Sequence, residues 1–505
     1  MNLKIITRRW LTFLGSNRFF YAVIALFLAG SIWLVFTSRY PMAFDENYHY
    51  GIIQQYAQQW SPFIDSAAPG TDSLGDIARY PSYLGHYLLS FPYRVVSYFS
   101  DSDVVRILAL RILNVGFLAG ALVIFKKMFE KTILSPLLAN VSLYVFTMIP
   151  TVPFLAAHVS YDNLSILLTA LTLLLAVEIL QALKKRSLAT NHMLLLVGVG
   201  CLNSLVKYTY LPIFVAVCVY IFAASVYTVR RYHLKPFASL KDNFAALTRF
   251  KQVALVVLIV LGGLLCLERY GVNMVRFGQP VPDCAQVRSE SSCMQYGPWG
   301  RDYELKQRFE PGEKPPHGPV GYSKLWVSRT MREFFFTIRH DYDNVPPLRP
   351  ISTFAWLMLA IGAAAMVLRL TAVLKNPYTR FFFVVCLAYT VAVWLDNFGK
   401  YNSVHFPVAV HARYLFPLYP IMFTVFAFAF ARLLEKVPRV SQHLKVAAVA
   451  STLLFMLYGG GSSSYIVNSD ASWYWQNGVV VRVNDTARSI LSRVIRPSGV
   501  KPAIF

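Results

Sequence analysis

Runs of apolar residues long enough to cross a lipid bilayer recur along the chain, and they restrict its fold more than any other feature. A transmembrane helix needs about 20 mostly apolar residues. Hydrophobic residues make up 56% of the chain and charged residues only 14%, with a mean hydropathy of +0.46. The sequence therefore predicts an all-α integral membrane protein with about 11 transmembrane helices. These are predicted at Phe19–Phe36, Val104–Phe125, Ile133–Ile149, Asn163–Leu183, His192–Val206, Tyr208–Val229, Val253–Tyr270, Ile351–Leu374, Phe381–Leu395, Tyr414–Leu433 and Val446–Gly459.

The basic residues indicate how the chain is oriented. A formal net charge of +23 would suggest a nucleic-acid partner in a soluble protein. Here the basic residues cluster in short segments between apolar runs, as in the cytoplasmic loops of membrane proteins. We therefore predict no nucleic-acid partner, a multi-pass location in the cytoplasmic membrane, and a cytoplasmic N-terminus at residues 1–18. No small-residue cleavage site follows the first apolar run, which predicts a retained signal anchor.

This orientation places the longer polar segments outside the cytoplasm. A polytopic domain is predicted at 19–466 with outer loops at 37–103 and 271–350, and the tail at 467–505 is also predicted outside. Cys284 and Cys293 share the second outer loop, and their spacing suits a disulfide in an oxidising compartment. The other four cysteines fall inside apolar runs, so no grouping of cysteines indicates a metal site.

An acidic stretch follows the first predicted span directly. In Pro41–Trp60, Asp45 and Glu46 are adjacent and His49 comes four residues after Asp45. If the segment is helical, Asp45 and His49 share one face. A neighbouring stripe is apolar and aromatic, which predicts a helix lying along a membrane surface; it consists of Phe44, Tyr48, Ile52, Tyr56 and Trp60. The alternative is an ordinary water-facing loop start, where acidic residues are common.

Further ionisable residues converge on the same predicted side. Such groups are costly at membrane depth unless they are paired or functional. Asp162 has an alternative as a helix cap, Lys207 and Arg413 as interface anchors, and each histidine as a loop or core residue. The residues in question are Arg106 and Arg111 in the second span, His158 and Asp162 before the fourth, Lys207 between the fifth and sixth, and Asp396, Lys400, His405, His411 and Arg413 before the tenth.

The chemistry that suits this set is sugar transfer from a lipid phosphate. A carboxylate can deprotonate an acceptor hydroxyl, and basic residues at headgroup level can bind the departing polyprenyl phosphate. We therefore name Asp45, Glu46 and Asp162 as candidate catalytic residues. The candidate substrate-binding residues are His49, Arg111, Lys207, His411 and Arg413.

Five short motifs carry a family resemblance. They are F-D-E-x-x-H from Phe44, R-I-L-N-V-G-F-L-A-G from Arg111, S-Y-D-N-L from Ser160, L-V-K-Y-T-Y-L-P from Leu205 and A-R-Y-L-F-P-L-Y-P from Ala412. Together they resemble the GT-C glycosyltransferases, in particular the protein mannosyltransferase and aminoarabinose transferase branch and related bacterial membrane proteins. The likeness covers the layout from Phe19 to Leu433, although each motif is short.

The resemblance implies specific roles. It implies an acidic base at Asp45 or Glu46, a second acid at Asp162, inversion at the anomeric carbon, and phosphate contacts from Arg111, Lys207 and Arg413. The large outer loop with Cys284 and Cys293 departs from those branches, so the acceptor stays open among a glycan, a lipid and a protein. The other expected partners are a polyprenyl-phosphate-linked sugar and membrane lipids.

Two other functions and one cofactor stay open at this point. A transporter or flippase of lipid-linked sugars would place its ionisable groups near the bilayer midplane and show inverted repeats. A non-catalytic membrane scaffold would use its outer loops for binding. No cofactor is certain, although oxygen ligands at Asp45 and Glu46 would suit a divalent metal.

Overall fold

The computed structural model describes residues 3–42, 45–65, 68–132, 135–310, 313–335, 349–436, 438–469 and 471–495. These residues form helices and no named strand, and one isolated β-bridge joins Ser38 to Tyr474. The first half contains α1 (Leu3–Leu14), α2 (Asn17–Thr37), α3 (Glu46–Ala57), α4 (Leu84–Phe99), α5 (Asp103–Lys131), α6 (Pro136–Thr147), α7 (Thr151–Ala156), α8 (Asp162–Lys184), α9 (Thr190–Val206), α10 (Leu211–Tyr232), α11 (Pro236–Ala245) and α12 (Arg249–Cys266), with 3₁₀ turns at Asp72–Leu74 and Tyr208–Tyr210.

The second half begins with a π-helical turn at Leu267–Gly271 that continues α12. It contains α13 (Val272–Phe277), α14 (Cys284–Val287), α15 (Glu290–Cys293), α16 (Gly297–Gln307), α17 (Pro319–Phe335), α18 (Arg349–Leu368), α19 (Leu370–Lys375), α20 (Pro377–Val404), α21 (Tyr419–Leu434), α22 (Pro438–Leu457), α23 (Ser462–Asn468) and α24 (Gly478–Leu491), with 3₁₀ turns at Ala412–Leu415 and Ala471–Trp473.

Seven helical stretches in the described residues are long and apolar enough to cross a membrane, and each coincides with a predicted span. They are Asn17–Thr37, Asp103–Lys131, Asp162–Lys184, Tyr208–Tyr232, Arg249–Phe277, Pro377–Val404 and Val446–Asn468. The four remaining predicted spans coincide with shorter apolar helices, at Pro136–Thr147, Thr190–Val206, Thr353–Leu368 and Tyr419–Leu434. The fold is therefore that of an all-α, multi-pass membrane protein, and the count of 11 crossings stays a prediction.

The helices enclose one large apolar core and leave apolar faces outward. Leu118 of α5, Leu173 of α8 and Phe382 of α20 are fully buried in that core. Phe222 of α10 and Leu264 of α12 are instead more than half exposed, at 72% and 60%. Large apolar side chains facing outward are unusual in soluble proteins but are expected where helices contact lipid.

The acidic stretch folds differently from the surface helix predicted for it. The helix in this stretch is α3, whose Ile52 and Tyr56 are buried in a cluster with Leu74, Tyr83 and Leu84. The apolar stripe therefore packs into the protein, mainly against α4, because the segment that follows folds back over it. Trp60 lies beyond the helix end and is exposed, and Phe44 lies outside the described residues.

Two further segments pack near α2 and α3. Cys284 and Cys293 are joined by a disulfide, and Arg288 within that loop bonds to Asp72 and Thr71. At the other side, the C-terminal segment packs on the end of α2. The Trp33 indole donates to Asn484 over 3.0 Å, and the backbone N–H of Trp475 donates to the Thr37 carbonyl over 3.0 Å. Both segments thus lie at the end of the helix bundle that carries Asp45.

An apolar cavity of about 550 Å³ lies between α6, α18, α21 and α22. Its walls include Val145, Phe354, Met422 and Met456, and it reaches Leu415, two residues after Arg413. A lipid chain is the kind of molecule that such an apolar cavity suits.

Candidate functional site

A fully buried ion pair between Glu46 and Arg111 forms the frame of the site. Arg111 Nε donates to Glu46 Oε1 over 2.8 Å, and Nη2 donates to Oε2 over 2.7 Å. The remaining lone pairs of Glu46 accept the backbone N–H groups of Met42 and Val159, at 2.7 and 2.9 Å. Arg111 also donates to the Ser38 carbonyl over 2.7 Å. The pair therefore joins α5, the start of α3, the chain after α2 and the loop before α8.

This arrangement gives Glu46 and Arg111 a structural role. Burial alone would raise the pKa of Glu46, but the adjacent Arg111 charge and its hydrogen bonds lower it, so the carboxylate stays ionised. Both side chains are 0% exposed and their polar atoms are already bonded. A substrate could reach either group only by breaking this ion pair. Of the two adjacent acids Asp45 and Glu46, Asp45 is therefore the accessible one.

Asp45 lies just before α3 in a left-handed backbone conformation, with φ 68° and ψ 30°. A non-glycine residue in this region is uncommon and is often found at functional sites. The conformation turns its half-exposed carboxylate towards Arg413, whose Nη2 lies 3.1 Å from Oδ2. Asp45 therefore does not share a helical face with His49, because the helix begins one residue later.

Asp162 and Lys207 form a second buried pair. Lys207 Nζ lies 2.7 Å from Asp162 Oδ1, at the junction between the start of α8 and the end of α9. Asp162 Oδ2 is buried and has no hydrogen-bond partner among the described residues. Burial, aided by the nearby Arg413 charge, lowers the pKa of Lys207 even though Asp162 opposes this. An additional donor or cation could therefore be accommodated at Asp162.

Arg413 lies between Asp45 and the pair formed by Asp162 and Lys207. It lies in the 3₁₀ turn Ala412–Leu415 and is 8% exposed. Burial opposes its charge, but Tyr414 and the carboxylates of Asp162 and Asp45 raise the pKa of Arg413. We call Asp45, Asp162, Lys207 and Arg413 the charge cluster. Its four side chains are placed by four separate helix ends on one side of the bundle, and its formal charges sum to zero.

Six partly exposed tyrosines lie around the charge cluster, and we call this group the tyrosine cleft. The Tyr48 and Tyr296 rings lie 5.5 Å apart, and the Tyr80 and Tyr208 rings 5.6 Å apart. Lys207 Nζ lies 5.0 Å from the centre of the Tyr414 ring. Each tyrosine offers an apolar ring face and a polar tip. The cleft is formed by Tyr48, Tyr80, Tyr161, Tyr208, Tyr296 and Tyr414.

His49 pairs with His86 of α4. His49 Nδ1 and His86 Nε2 are 2.8 Å apart, and both rings pack edge-on against Tyr161, at 4.7 and 5.1 Å. Burial lowers the pKa of both imidazoles, that of His86 to about 3, so both stay neutral near pH 7. The geometry therefore gives His49 a role in positioning Tyr161, the residue before Asp162.

His411 is bound by Glu333 of α17, a residue that the sequence did not single out. His411 Nδ1 lies 2.8 Å from Glu333 Oε1, and the Ala412 N–H donates to Oε2 over 2.6 Å. Glu333 is 2% exposed and thus holds the turn that carries Arg413. The only sequence signal was an acidic residue within an amphipathic helix of the outer loop.

Asp76 is a second residue that sequence reasoning did not single out. It is 8% exposed, and among the described residues its carboxylate makes no ion pair and bonds only to its own backbone. Burial raises the pKa of Asp76 to about 7, and the nearby Asp283 contributes to this. Asp76 follows Gly75, against which the Tyr296 ring packs, so it lies in the wall of the tyrosine cleft. In the sequence it was only one of several acidic residues in the predicted outer loop at 37–103.

A metal site does not emerge from this geometry. Asp45 and Glu46 are adjacent in sequence but bind different arginines, Arg413 and Arg111. In the part of the chain that the structure describes, no group of three or more His, Cys, Asp or Glu residues could hold a metal ion. Comparisons of the sequence with known protein families and with curated proteins give no match.

Proposed function

We propose that this protein is a GT-C-type glycosyltransferase that moves a sugar from a polyprenyl-phosphate donor to an acceptor at the outer face of the cytoplasmic membrane. The observation that carries the proposal is the charge cluster, in which a half-exposed carboxylate and two cations meet beside the tyrosine cleft. Phosphate recognition needs the cations, and base catalysis needs the carboxylate.

In the proposed reaction Asp45 takes the proton of the acceptor hydroxyl. The acceptor oxygen then forms a bond to the anomeric carbon as the bond from that carbon to the phosphate oxygen breaks. The polyprenyl phosphate leaves with the bonding electrons, and Arg413 and Lys207 stabilise its negative charge. Asp45 thus serves as the proton acceptor, and the two cations stabilise the leaving group.

The ion pair between Asp45 and Arg413 fits this sequence of events. While Arg413 neutralises Asp45, the carboxylate is a weak base. A donor phosphate that binds Arg413 competes for its guanidinium and frees the carboxylate for proton transfer. The base would therefore become active only when the donor is in place.

The surroundings of the charge cluster suit the rest of the donor. Tyrosine rings can stack on the apolar face of a sugar while their hydroxyls bond to its polar edge. The apolar cavity of about 550 Å³ reaches Leu415, close to Arg413, and offers a place for part of an isoprenoid chain. A transporter would instead bind its cargo near the midplane, whereas all four members of the charge cluster lie at helix ends.

The test is transfer by purified protein in nanodiscs. The protein is incubated with single polyprenyl-phosphate sugars and with cell-envelope acceptor fractions, and products are identified by mass spectrometry. Appearance of a sugar-modified acceptor together with released polyprenyl phosphate supports the proposal. Movement of intact donor across a sealed vesicle, with no covalent product for any donor, would instead support a transporter.

A further inference from the structure

The corner between α1 and α2 carries a second cationic feature, far from the charge cluster along α2. Three arginines, Arg8, Arg9 and Arg18, line a cavity of about 660 Å³ at this corner. Thr12, Phe13, Ser16 and Asn17 complete its lining. We call it the arginine pocket. Because Asp45 follows the other end of α2, the pocket and the charge cluster lie at opposite ends of the first span.

The corner is held in place by α6. The buried Asn140 side chain donates to the carbonyls of Leu14 and Ser16, over 2.8 and 2.9 Å. Ser16 also caps α2, since its hydroxyl accepts from the Phe19 N–H over 3.3 Å. The end of α1, which carries Arg8 and Arg9, and the start of α2, which carries Arg18, are thus tied to the helix bundle.

The positive charge of the pocket is uncompensated. No Asp or Glu precedes Asp45 in the chain, and none of the three arginines forms an ion pair with a described residue. Neighbouring guanidinium groups repel each other, so the cavity favours an anion with several acceptor oxygens. Phosphate is such an anion, and arginine matches it with a fork of donors.

Apolar side chains beside the pocket indicate where the phosphate comes from. Trp10 and Phe13 are 56% and 46% exposed on the same short helix, which directly precedes a membrane span. An amphipathic helix of this kind lies in the headgroup region with its aromatic residues towards the acyl chains. We propose that the arginine pocket binds the phosphate of an anionic phospholipid, with the lipid chains alongside Trp10 and Phe13. This proposal does not depend on the transfer reaction.

The test measures lipid binding to the purified full-length protein by native mass spectrometry. The probes are dioleoyl phosphatidylglycerol, dioleoyl phosphatidylcholine and inorganic phosphate. One variant combines Arg8→Gln, Arg9→Gln and Arg18→Gln. The matched control combines Arg230→Gln, Lys241→Gln and Arg249→Gln, which removes three exposed charges from the same end of the bundle without touching the pocket.

We expect the parent to prefer the phosphatidylglycerol probe and the pocket variant to bind it on the order of 100-fold more weakly. The control variant should stay within about threefold of the parent, because dispersed exposed charges are screened. Equal losses in the two variants would mean general surface attraction and overturn the proposal. Equal affinity for the two lipids would overturn it as well. If inorganic phosphate binds as tightly as the anionic lipid, the pocket is a free-phosphate site and the lipid assignment is wrong.

Discussion

Arg413 contacts Asp45 across 3.1 Å and so joins the turn before α21 to the residue before α3. The contact brings together two motifs from distant parts of the chain, and it places a guanidinium beside the one accessible carboxylate of the acidic stretch. The same guanidinium is within electrostatic range of Asp162. A single arginine thus contacts one candidate acid and lies near a second, so an anion that binds Arg413 would act on both.

Replacement of Asp45 tests the base. Asp45→Asn keeps the shape of the side chain but removes its basicity, so turnover should fall by at least ~100-fold. Donor binding should survive or improve, since Arg413 loses its competitor. Turnover is measured by product mass spectrometry, and donor affinity by titration with the lipid-linked sugar. Asp101→Asn, at a fully exposed carboxylate near the start of α5, is the control and should leave both quantities unchanged. Unaltered transfer by Asp45→Asn would remove the proposed base.

Two substitutions of Arg413 separate charge from geometry. Arg413→Gln removes the cation and should weaken donor binding by about 10- to 100-fold. Arg413→Lys keeps a point charge but loses the fork of donors, so its binding should fall between the parent and Arg413→Gln. Binding is measured by titration of each variant, with Arg301→Gln as an exposed control from the outer loop. If both Arg413 variants bind the lipid phosphate as the parent does, the residue is only an interface anchor.

The buried pair of Glu46 and Arg111 predicts a stability effect instead of a catalytic one. Glu46→Gln or Arg111→Gln alone leaves an uncompensated buried charge and should lower the free energy of unfolding by about 3–5 kcal/mol. The double variant should lose less than the sum of the two single losses, since it leaves no lone charge. Chemical unfolding in detergent measures all four proteins. Additive losses would mean that the two side chains do not stabilise each other, and a dead Glu46→Gln variant with full stability would show that Glu46 acts on substrate.

Asp76 predicts a pH dependence of stability. Its pKa is raised by burial from 3.8 to about 7, so the folded state binds a proton that the unfolded state has already lost above pH 4. Stability should therefore fall as the pH rises from about 4 to 7, by up to about 4 kcal/mol from this group. Asp76→Asn should remove that part of the slope and be more stable than the parent at pH 8. A slope that is the same in the parent, Asp76→Asn and the exposed control Asp101→Asn would mean that Asp76 titrates normally.

The disulfide between Cys284 and Cys293 is expected to stabilise the loop that contains it. Loss of the bond between Cys284 and Cys293 frees a short loop in the unfolded chain and should cost about 3 kcal/mol. The pair of changes Cys284→Ser and Cys293→Ser should also loosen the contact from Arg288 to Asp72, which proteolysis of the outer loop would report. Isolation under alkylating conditions gives the direct check, because labels on Cys284 and Cys293, in addition to any on the four free cysteines, would contradict the bond.

The apolar runs were sufficient to predict the helical class and the position of every long helix, because a bilayer leaves the backbone few other choices. The motifs also led to residues that meet in space. Asp45, Asp162, Lys207 and Arg413 were named from four separate segments, and the structure brings them into one cluster. Ionisable residues beside apolar runs are rare, so each one was visible in the sequence.

Which side chains pair with each other was much harder to predict than where the helices lie along the chain. Glu46 and Asp45 are adjacent, and their different partners depend on where α3 begins and on the left-handed conformation of Asp45. Asp76 and Glu333 escaped notice because their environments are made by tertiary burial, which a local pattern does not record. The ring of His49 binds His86 of α4, a residue that no motif contained, and the assignment of His49 to substrate binding stays a prediction.

The bridge between Ser38 and Tyr474 has a consequence for biosynthesis. Arg111, Glu46 and Val159 can meet once the loop before α8 has left the ribosome, but the Thr37 carbonyl waits for Trp475. At about 5–20 residues per second, tens of seconds separate these events. During that interval the arginine corner of the first span is already bonded to Asn140 of α6, whereas the Thr37 carbonyl at the other end lacks its later partner. A stalled nascent chain would therefore contain the Glu46–Arg111 ion pair but lack the C-terminal segment that packs on α2. A membrane chaperone or protease would meet the protein in this form.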